Sequence, residues 1–339
     1  MKFYNVFSGF LTGATREAYM RNIGDKVFNS LHSYWYLKDC DDEKTMNGFA
    51  ITKGNIMIDS GAFTAYADAS MKRQSEEEFK KSKKSIDINE YIEKYLTWIN
   101  KWDSYVTVFG QMDVIPVSAK TEADFNECCQ KTWDNYLYMT SHMKSPKKLL
   151  YTFHFGEPFH WLKQALEYRF PDGSLMDYMA IGGLVGKSTK DRTAFLDECF
   201  KIIRESSNPN IKVHGFGVSS EAMWRKYPFE SCDSFTPGMN ANHGFRYDSK
   251  GAYRAPNYDE IFKPVNFIKS KEGSSLFSED EVKDPNYVPD EEKTPEQLQQ
   301  EALDRTDKKA KLLIENIEHW DNLAKSIPKN QFTYKCSLF

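Results

Sequence analysis

The chain lacks long hydrophobic runs and any strong excess of charge of one sign. No stretch approaches 18 consecutive apolar residues, and the N-terminal MKFYNVFSGFLTG has neither the long apolar core nor the small-residue cleavage site of a secretory signal. These absences predict a cytoplasmic protein with no membrane association. The formal net charge of −4 excludes a polycation but leaves room for a local basic groove.

Cysteine is scarce and dispersed. No CxxC motif occurs, so the sequence signals neither a disulfide framework nor a cysteine zinc site. Reduced thiols are expected at the six positions Cys40, Cys128, Cys129, Cys199, Cys232 and Cys336.

Apolar and aromatic residues, in contrast, are plentiful. They make up 40 % and 15 % of the chain, which is enough to bury a large core and excludes a disordered protein. A length of 339 residues fits about two ordinary domains or one α/β barrel with insertions.

Eight short runs rich in β-branched or aromatic residues alternate with segments of helical spacing. The helical segments lie at about 15–30, 74–101, 121–140, 158–170, 190–205 and 219–227, and the link after the second run is short. This alternation favours parallel βαβ units, and eight such strands close into a (β/α)8 barrel. An open doubly wound sheet is the alternative. The predicted strands are Tyr4–Ser8, Ser33–Leu37, Asn55–Asp59, Tyr105–Met112, Leu149–His154, Tyr178–Gly182, Ile211–Gly217 and Ser231–Thr236.

The character of the chain changes after the eighth run. We expect residues 1–237 to form the barrel, 238–293 to form long polar and acidic loops, 294–326 to form a helix that closes the barrel as its eighth, and 327–339 to form a tail. The loop 238–256 is predicted to cover the barrel mouth. Thr294-Pro295-Glu296-Gln297 is typical of a helix N-terminus. One buried stripe is predicted along Leu298, Ala302, Leu312, Leu313, Ile317, Trp320 and Leu323.

Polar residues at the carboxyl ends of the predicted strands are candidates for chemistry, because barrel active sites lie there. Asp59, Asp113 and Asp233 occupy three such ends, with the pair Gly182-Gly183 at another. Different environments can make one carboxylate a nucleophile and another an acid or base. Each residue also has a structural interpretation as a cap, a turn or a close-packing position. Their joint placement favours the functional one.

These motifs resemble, in the same order, those of the tRNA-guanine transglycosylases. The matching segments are DSGAF (59–63), QMDVIP (111–116), IGGLVG (181–186), HGFGVSS (214–220) and ESCDSFTP (230–237), and HSYWYL (32–37) is similar to an early strand of the family. The resemblance covers roughly residues 1–237. In character the chain is closest to compact, phage-type enzymes that place 7-deazaguanine in DNA.

The resemblance implies a two-step displacement at an anomeric carbon. Asp233 would attack C1′ to give a covalent intermediate, Asp59 would be the general acid and base, and Asp113 would bind the amidine edge of the base. A carboxylate suits this reaction because it stabilises an oxocarbenium-like centre, and the target base must leave its stack. The predicted base-binding set is Asp113, His154, Gly182, Gly183, Leu184 and Ser60. His154 stands where the family has a glutamine, and a packed or capping histidine is the alternative for that residue.

Two departures from the family pattern affect metal and nucleic-acid binding. The family's zinc cluster should follow the nucleophile strand, but residues 238–339 contain one cysteine, Cys336, so neither zinc nor another cofactor is predicted. A family arginine is replaced at Pro237-Gly238. The loop residues Arg246, Lys250 and Arg254 are predicted to contact phosphates instead, with a solvated loop as the alternative.

The predicted function is therefore exchange of a guanine in DNA for a 7-deazaguanine base of the preQ0 type. DNA is favoured over tRNA because the zinc-based docking region is missing. The alternatives are a tRNA-guanine transglycosylase, a nucleosidase that uses water, and a non-catalytic partner subunit, against which the three carboxylates argue. A homodimer or a partner subunit is compatible with the sequence, and a phage-encoded enzyme would act in the host cytoplasm. His214 is assigned a structural role only.

Overall fold

The computed structural model describes residues 1–7, 11, 13–62, 64, 87–115, 121–248, 251–255 and 294–328. Predictions for Lys250, for Cys336, for most of the acidic loop and for the tail lie outside these residues. The described residues belong to two compact units, one formed from residues 1–10, 27–235 and 321–339 and the other from residues 11–26 and 236–320.

The first unit contains a closed barrel of eight parallel strands in sequence order. Closure is made by the first strand, which pairs with the second along one edge and with the eighth along the other. The fold is thus an α/β (β/α)8 barrel, as the alternation of runs predicts. The strands are β1 (Lys2–Phe7), β2 (Asn29–Ser33), β3 (Ile56–Asp59), β4 (Val108–Gly110), β5 (Leu149–His154), β6 (Tyr178–Gly182), β7 (Lys212–Gly215) and β8 (Ser231–Ser234).

Helices follow the strands along the chain. None of those described is long and apolar enough to cross a membrane. Their bounds are α1 (Gly13–Ile23), α2 (Tyr34–Leu37), α3 (Asp42–Ile51), α4 (Ile88–Trp102), α5 (Glu122–His142), α6 (Phe159–Glu167), α7 (Thr189–Glu205), α8 (Glu221–Lys226), α9 (Thr236–Asn242) and α10 (Pro295–Ser326).

Local sequence explains where several of these helices begin. The Asp87 carboxylate accepts from the Asn89 backbone N–H at 2.9 Å ahead of α4. Thr121 and Asp124 form a reciprocal capping box at the start of α5. Each such cap contributes about 1 kcal/mol by satisfying a backbone donor at the first turn.

One hydrophobic cluster in the barrel takes buried side chains from six successive strands. Alternation along each strand directs every second residue inward, so large and small residues from neighbouring strands meet there. This cluster is closed to water, and the polar residues of the site lie beyond it toward the carboxyl ends. It consists of Tyr4, Leu31, Met57, Val108, Leu150 and Ala180, with Val6, Tyr178 and Phe216 packed against it.

The predicted second strand and the short link after it are wrong. The strand ends at Ser33, and Tyr34–Leu37 is the helix α2, which α3 then follows. The β propensity of the aromatic run favours a strand, but that propensity reflects side-chain packing rather than an intrinsic backbone preference. The Tyr34 ring packs against Tyr95 and Trp98 of α4. A helical turn makes this contact, just as a strand could.

The second unit contains α1, α9, most of α10 and a hairpin of two antiparallel strands, β9 (Phe245–Asp248) and β10 (Gly251–Arg254). The prediction of a loop over 238–256 is therefore wrong for most of that segment. The backbone N–H and carbonyl groups of this segment pair with each other across β9 and β10. The polar composition of the segment does not reveal this pairing. A small core of Ala241, Ala255 and Leu312 lies beneath.

Helix α10 begins as its sequence predicts and is buried differently. Thr294 and Gln297 exchange hydrogen bonds of 2.8 and 3.2 Å, which confirms the N-terminal signal. The predicted stripe is wrong in its first half, since Leu298 is only half-buried and Ala302 is exposed. Burial begins at Ala310, because the earlier turns carry charged residues that remain in water.

Asn316 of α10 holds the hairpin by its side chain. It is fully buried, accepts from the Tyr247 N–H at 2.9 Å and donates to the Phe245 carbonyl at 2.8 Å. These two bonds supply partners to a backbone N–H and a backbone carbonyl of β9.

We expect Asn316→Ala to lower the free energy of unfolding by roughly 1–3 kcal/mol, because it removes two hydrogen bonds made by a fully buried side chain. Hydrogen exchange of the Tyr247 amide, measured beside thermal unfolding, would locate the loss in the hairpin. The matched control is Asn322→Ala at an exposed position of the same helix. Equal effects from the two variants would contradict the assignment.

Candidate active site

The three predicted carboxylates all lie at the carboxyl end of the barrel. Asp59 is the last residue of β3, Asp233 belongs to β8, and Asp113 follows β4 by three residues. The charges of Asp113 and Asp233 both act on Asp59. The structure therefore brings together the residues that the strand-end argument selected.

Asp59 is fixed by its own turn and by two tyrosines of α4. The Gly61 N–H donates to the Asp59 carboxylate at 3.0 Å. The Tyr91 hydroxyl donates to the Ser60 carbonyl at 2.6 Å, and the Tyr95 hydroxyl donates to the Gly110 carbonyl at 3.0 Å. These bonds anchor the ends of β3 and β4 to α4, so the carboxylate is held on rigid elements.

Asp59 is poised between its two protonation states near neutral pH. Burial and the negative charge of Asp113 raise the pKa of Asp59 to about 7, with a further contribution from Asp233, and the Gly61 hydrogen bond opposes the rise. A carboxyl with that pKa can donate or accept a proton at physiological pH, as a general acid and base must.

Asp113 is the outer member of a buried row with His154 and Glu157. The His154 Nε2 lies 2.7 Å from the Asp113 Oδ2, and its Nδ1 lies 3.0 Å from the Glu157 Oε1. The second Glu157 oxygen accepts from the His154 backbone N–H at 2.9 Å. Both ring nitrogens therefore donate to carboxylates.

This row makes His154 a cation between two anions. Burial alone lowers the pKa of His154, but the charge of Glu157 and hydrogen bonds to Asp113 and Glu157 outweigh burial and raise it to about 10. The imidazolium locks the direction of the Asp113 carboxylate and leaves its Oδ1 without a partner among the described residues. His154 thus orients Asp113, and its direct contact with a base stays a prediction.

The described residues hold Asp233 through one of its oxygens. Its Oδ1 accepts from the Gly217 N–H at 2.9 Å and lies 3.1 Å from the His214 Nε2. Within the described part of the chain, its Oδ2 has no hydrogen-bond partner. The carboxylate is thereby fixed in direction with one oxygen available to a reacting atom.

Gly217 is required at this contact. Its φ is +67°, a conformation that favours glycine, and a Cβ there would lie 2.6 Å from the Val185 side chain. The same turn places its N–H on Asp233. Substitution of Gly217 would therefore disturb the carboxylate as well as the turn.

The glycine block after β6 presents backbone donors. The Gly182 carbonyl accepts from the Phe155 N–H at 3.0 Å, and a Cβ on Gly182 would lie 3.1 Å from the His154 ring. Over the part of the chain that the structure describes, the N–H groups of Gly183 and Leu184 make no hydrogen bond. Two adjacent free donors beside Asp113 and His154 suit a ligand carbonyl.

Two further polar residues lie between these groups in the sequence. Ser60 is fully buried, and its hydroxyl accepts from the Ala62 N–H at 3.3 Å. Gln111 is buried as well, and both atoms of its amide lack a protein partner among the described residues. An unsatisfied buried amide costs about 1–3 kcal/mol per group, which makes Gln111 an additional candidate for ligand contact.

The predicted phosphate-binding residues lie in the second unit. Arg246 is half-buried in β9 and forms an ion pair of 3.4 Å with Glu315, while Arg254 is exposed in β10. Lys250 lies outside the described residues. A phosphate contact by Arg246 requires competition with Glu315, so the role of this trio stays a prediction.

The sequence argument missed the partners of the carboxylates. Glu157 lies three residues after His154 in HFGE, a spacing that brings the two side chains together in the turn after β5. His214 was assigned a structural role, yet it contacts Asp233. The pairing of His214 with Ser231 across β7 and β8 brings it there, and this pairing has no local signal in the sequence.

Comparison with known proteins adds no assignment. No protein-family model matches the chain, and no curated protein matches it. Among the described residues, no group of three or more His, Cys, Asp or Glu side chains could hold a metal ion. The class that the fold and site define is a (β/α)8 barrel with three partnered carboxylates at the carboxyl ends of its strands.

The pH dependence of stability should report the environment of Asp59. Its pKa is about 7 in the folded protein and about 3.9 in an unfolded chain. The stabilisation from its bound proton is complete below the unfolded value and is lost as pH rises through the folded value.

We therefore expect the free energy of unfolding of the wild type to fall, relative to that of Asp59→Asn, by on the order of 3–4 kcal/mol between about pH 4 and about pH 8. Thermal or urea unfolding across this range measures the difference. Asp134→Asn, at an exposed position of α5, is the control that should parallel the wild type. Parallel curves for Asp59→Asn would show that Asp59 is not shifted.

Proposed function

We propose that the protein is a guanine transglycosylase that exchanges a guanine in DNA for a 7-deazaguanine base through a covalent intermediate on Asp233. The observation that carries the proposal is the division of roles among three carboxylates: Asp233 has one oxygen anchored and one free, Asp59 has a pKa of about 7, and Asp113 is locked by His154. The order of motifs in the sequence supports the same reading.

In the first half-reaction, the Asp233 Oδ2 forms a bond to C1′ as the bond from C1′ to the base nitrogen breaks. The electron pair of the broken bond goes to the departing guanine, and Asp59 in its protonated form supplies the proton. The anionic Asp233 stabilises the oxocarbenium-like transition state, as carboxylate nucleophiles do in retaining glycosidases.

In the second half-reaction, the same steps run in reverse with a different base. The incoming 7-deazaguanine gives its ring N–H proton to Asp59 and bonds to C1′, while Asp233 departs as a carboxylate. A pKa of about 7 serves both halves, because Asp59 must release a proton in one and accept it in the other.

Base recognition falls to Asp113 and to the backbone after β6. The free Oδ1 of Asp113 accepts from the amidine N–H groups of a guanine-type base, and the N–H groups of Gly183 and Leu184 donate to its carbonyl. The His154 Nε2 lies 2.7 Å from the Asp113 Oδ2 and holds the carboxylate in one direction for this role. Two N–H donors from the protein backbone and one carboxylate acceptor match the carbonyl and the N–H groups of a guanine or 7-deazaguanine.

The choice of DNA rests on the sequence. The region that would hold the family's zinc site offers one cysteine, so the platform that docks folded tRNA has no counterpart in the sequence. Arg254 is exposed in the hairpin and, with Arg246 and Lys250, is a candidate for a phosphate contact. A tRNA substrate is the alternative that the experiment below separates.

The test incubates the protein with labelled guanine and with DNA or tRNA in separate reactions, and measures label in each polymer. We expect label in DNA, and none after Asp233→Ala, which removes the nucleophile. Asp134→Asn should leave exchange unchanged. Label in tRNA alone would reverse the choice of polymer, and release of base without incorporation would indicate a nucleosidase.

Asp113→Asn should affect the base rather than the chemistry. Replacing a charged acceptor by an amide removes a charge-assisted hydrogen bond, so we expect KM for the incoming base to rise roughly tenfold to hundredfold while kcat changes less. Initial rates at varied base concentration measure both. A fall in kcat with constant KM would assign Asp113 to proton transfer instead.

A further inference from the structure

His214 lies at the centre of a buried row of hydrogen-bonding groups behind Asp233. Its Nε2 is 3.1 Å from the Asp233 Oδ1, and its Nδ1 is 2.5 Å from the Ser231 hydroxyl. The Ser231 hydroxyl is in turn 2.5 Å from the Tyr178 hydroxyl. His214 and Ser231 are fully buried, so bulk water does not compete for these contacts.

The order of hydrogens in this row follows from the available acceptors. Burial raises the pKa of Tyr178 well above its usual value, so the phenol keeps its proton. Ser231 is the hydrogen-bond partner of that phenol among the described residues, which makes Tyr178 the donor. The Ser231 proton must then point to the His214 Nδ1, and the His214 proton resides on Nε2, facing Asp233.

Ring packing fixes the plane of the imidazole. The His214 ring meets the Phe216 ring edge-on at 4.5 Å between centroids and the Tyr4 ring at 6.0 Å. With Ser231 on one nitrogen, the ring has no freedom to rotate away from Asp233. The Nε2–H is therefore aimed at the carboxylate before any substrate binds.

We propose that His214 is the positioning residue of the nucleophile. Its Nε2–H and the Gly217 N–H both donate to the Asp233 Oδ1, and Oδ2 is therefore the oxygen that attacks C1′. This assignment rests on the proposed function for the attack itself. The two hydrogen bonds to Oδ1, the direction of donation along the row and the choice of Oδ2 as the oxygen without a bond rest on the geometry alone.

A second consequence concerns departure of Asp233 in the second half-reaction. The two N–H donors bind a carboxylate oxygen more strongly than an ester carbonyl, because charge-assisted hydrogen bonds are stronger. When the bond from Asp233 to C1′ breaks, negative charge returns to the carboxylate. The two N–H donors are already in place and stabilise that charge. The positioning residue therefore assists turnover as well as attack.

The test compares His214→Phe with His214→Gln. Phenylalanine keeps the ring among Tyr4 and Phe216 and removes both nitrogens. Glutamine places an amide N–H at the same number of bonds from Cα as the histidine Nε2, so the donor to Asp233 is retained. Folding of each variant is checked by its melting curve, and the intact pocket by its affinity for 7-deazaguanine.

With the full-length protein in the exchange assay, we expect His214→Phe to lower kcat at least roughly tenfold with KM for the base nearly unchanged, and His214→Gln to recover most of the loss. A wild-type kcat in His214→Phe would overturn the proposal. So would an equal loss in both variants, because that result would assign the effect to packing.

A second measurement is independent of activity. Nitrogen-15 NMR of labelled histidines, with the His214 signals assigned from His214→Gln, should show the proton on Nε2 and none on Nδ1, and Asp233→Asn should shift the Nε2 signal. A proton on Nδ1 would overturn the proposal. If the wild type neither exchanges nor hydrolyses bases, the proposed function fails, while this spectrum still decides the role of His214.

Discussion

Negative charge buried at the carboxyl end of the barrel is the constraint on which the site depends. Three carboxylates act on one another there, and a buried charge is tolerated only when it is paired, hydrogen-bonded or neutralised. The protein uses all three solutions: Asp113 is paired with the cationic His154, Asp233 is hydrogen-bonded by Gly217 and His214, and Asp59 binds a proton.

In the proposed function these three solutions become three chemical roles. The carboxylate paired with a cation would accept from the ligand, the one hydrogen-bonded through a single oxygen would be the nucleophile, and the one with a pKa of about 7 would be the acid and base. The division comes from the partners rather than from the carboxylates, since the three residues have the same side chain. The structural requirement and the proposed chemistry therefore coincide.

The barrel supplies the rigidity that this arrangement needs. Hydroxyl groups of Tyr91 and Tyr95 bind carbonyls at the ends of β3 and β4, and Asp233 lies within β8. Because side chains on strands are positioned more precisely than side chains on loops, small differences among the partners become reproducible differences in protonation. The hairpin unit is organised separately, around Asn316.

The sequence by itself determined the repeating architecture and the catalytic candidates. Alternating runs of period two and 3.6 favour a barrel over an open sheet, and polar residues such as Asp59 and Asp233 at the ends of parallel strands meet at one edge in either case. The sequence analysis does not predict helix α2, because Tyr34 packs against residues of α4 that lie far along the chain. It does not predict the β9–β10 hairpin either, although that pairing is local, because the segment is polar and lacks an alternating apolar pattern. Only the tertiary structure decided which partner each carboxylate has. Asp233 contacts His214 because β7 and β8 are neighbours, and Asp113 meets His154 where the ends of β4 and β5 converge, and no local pattern records either contact.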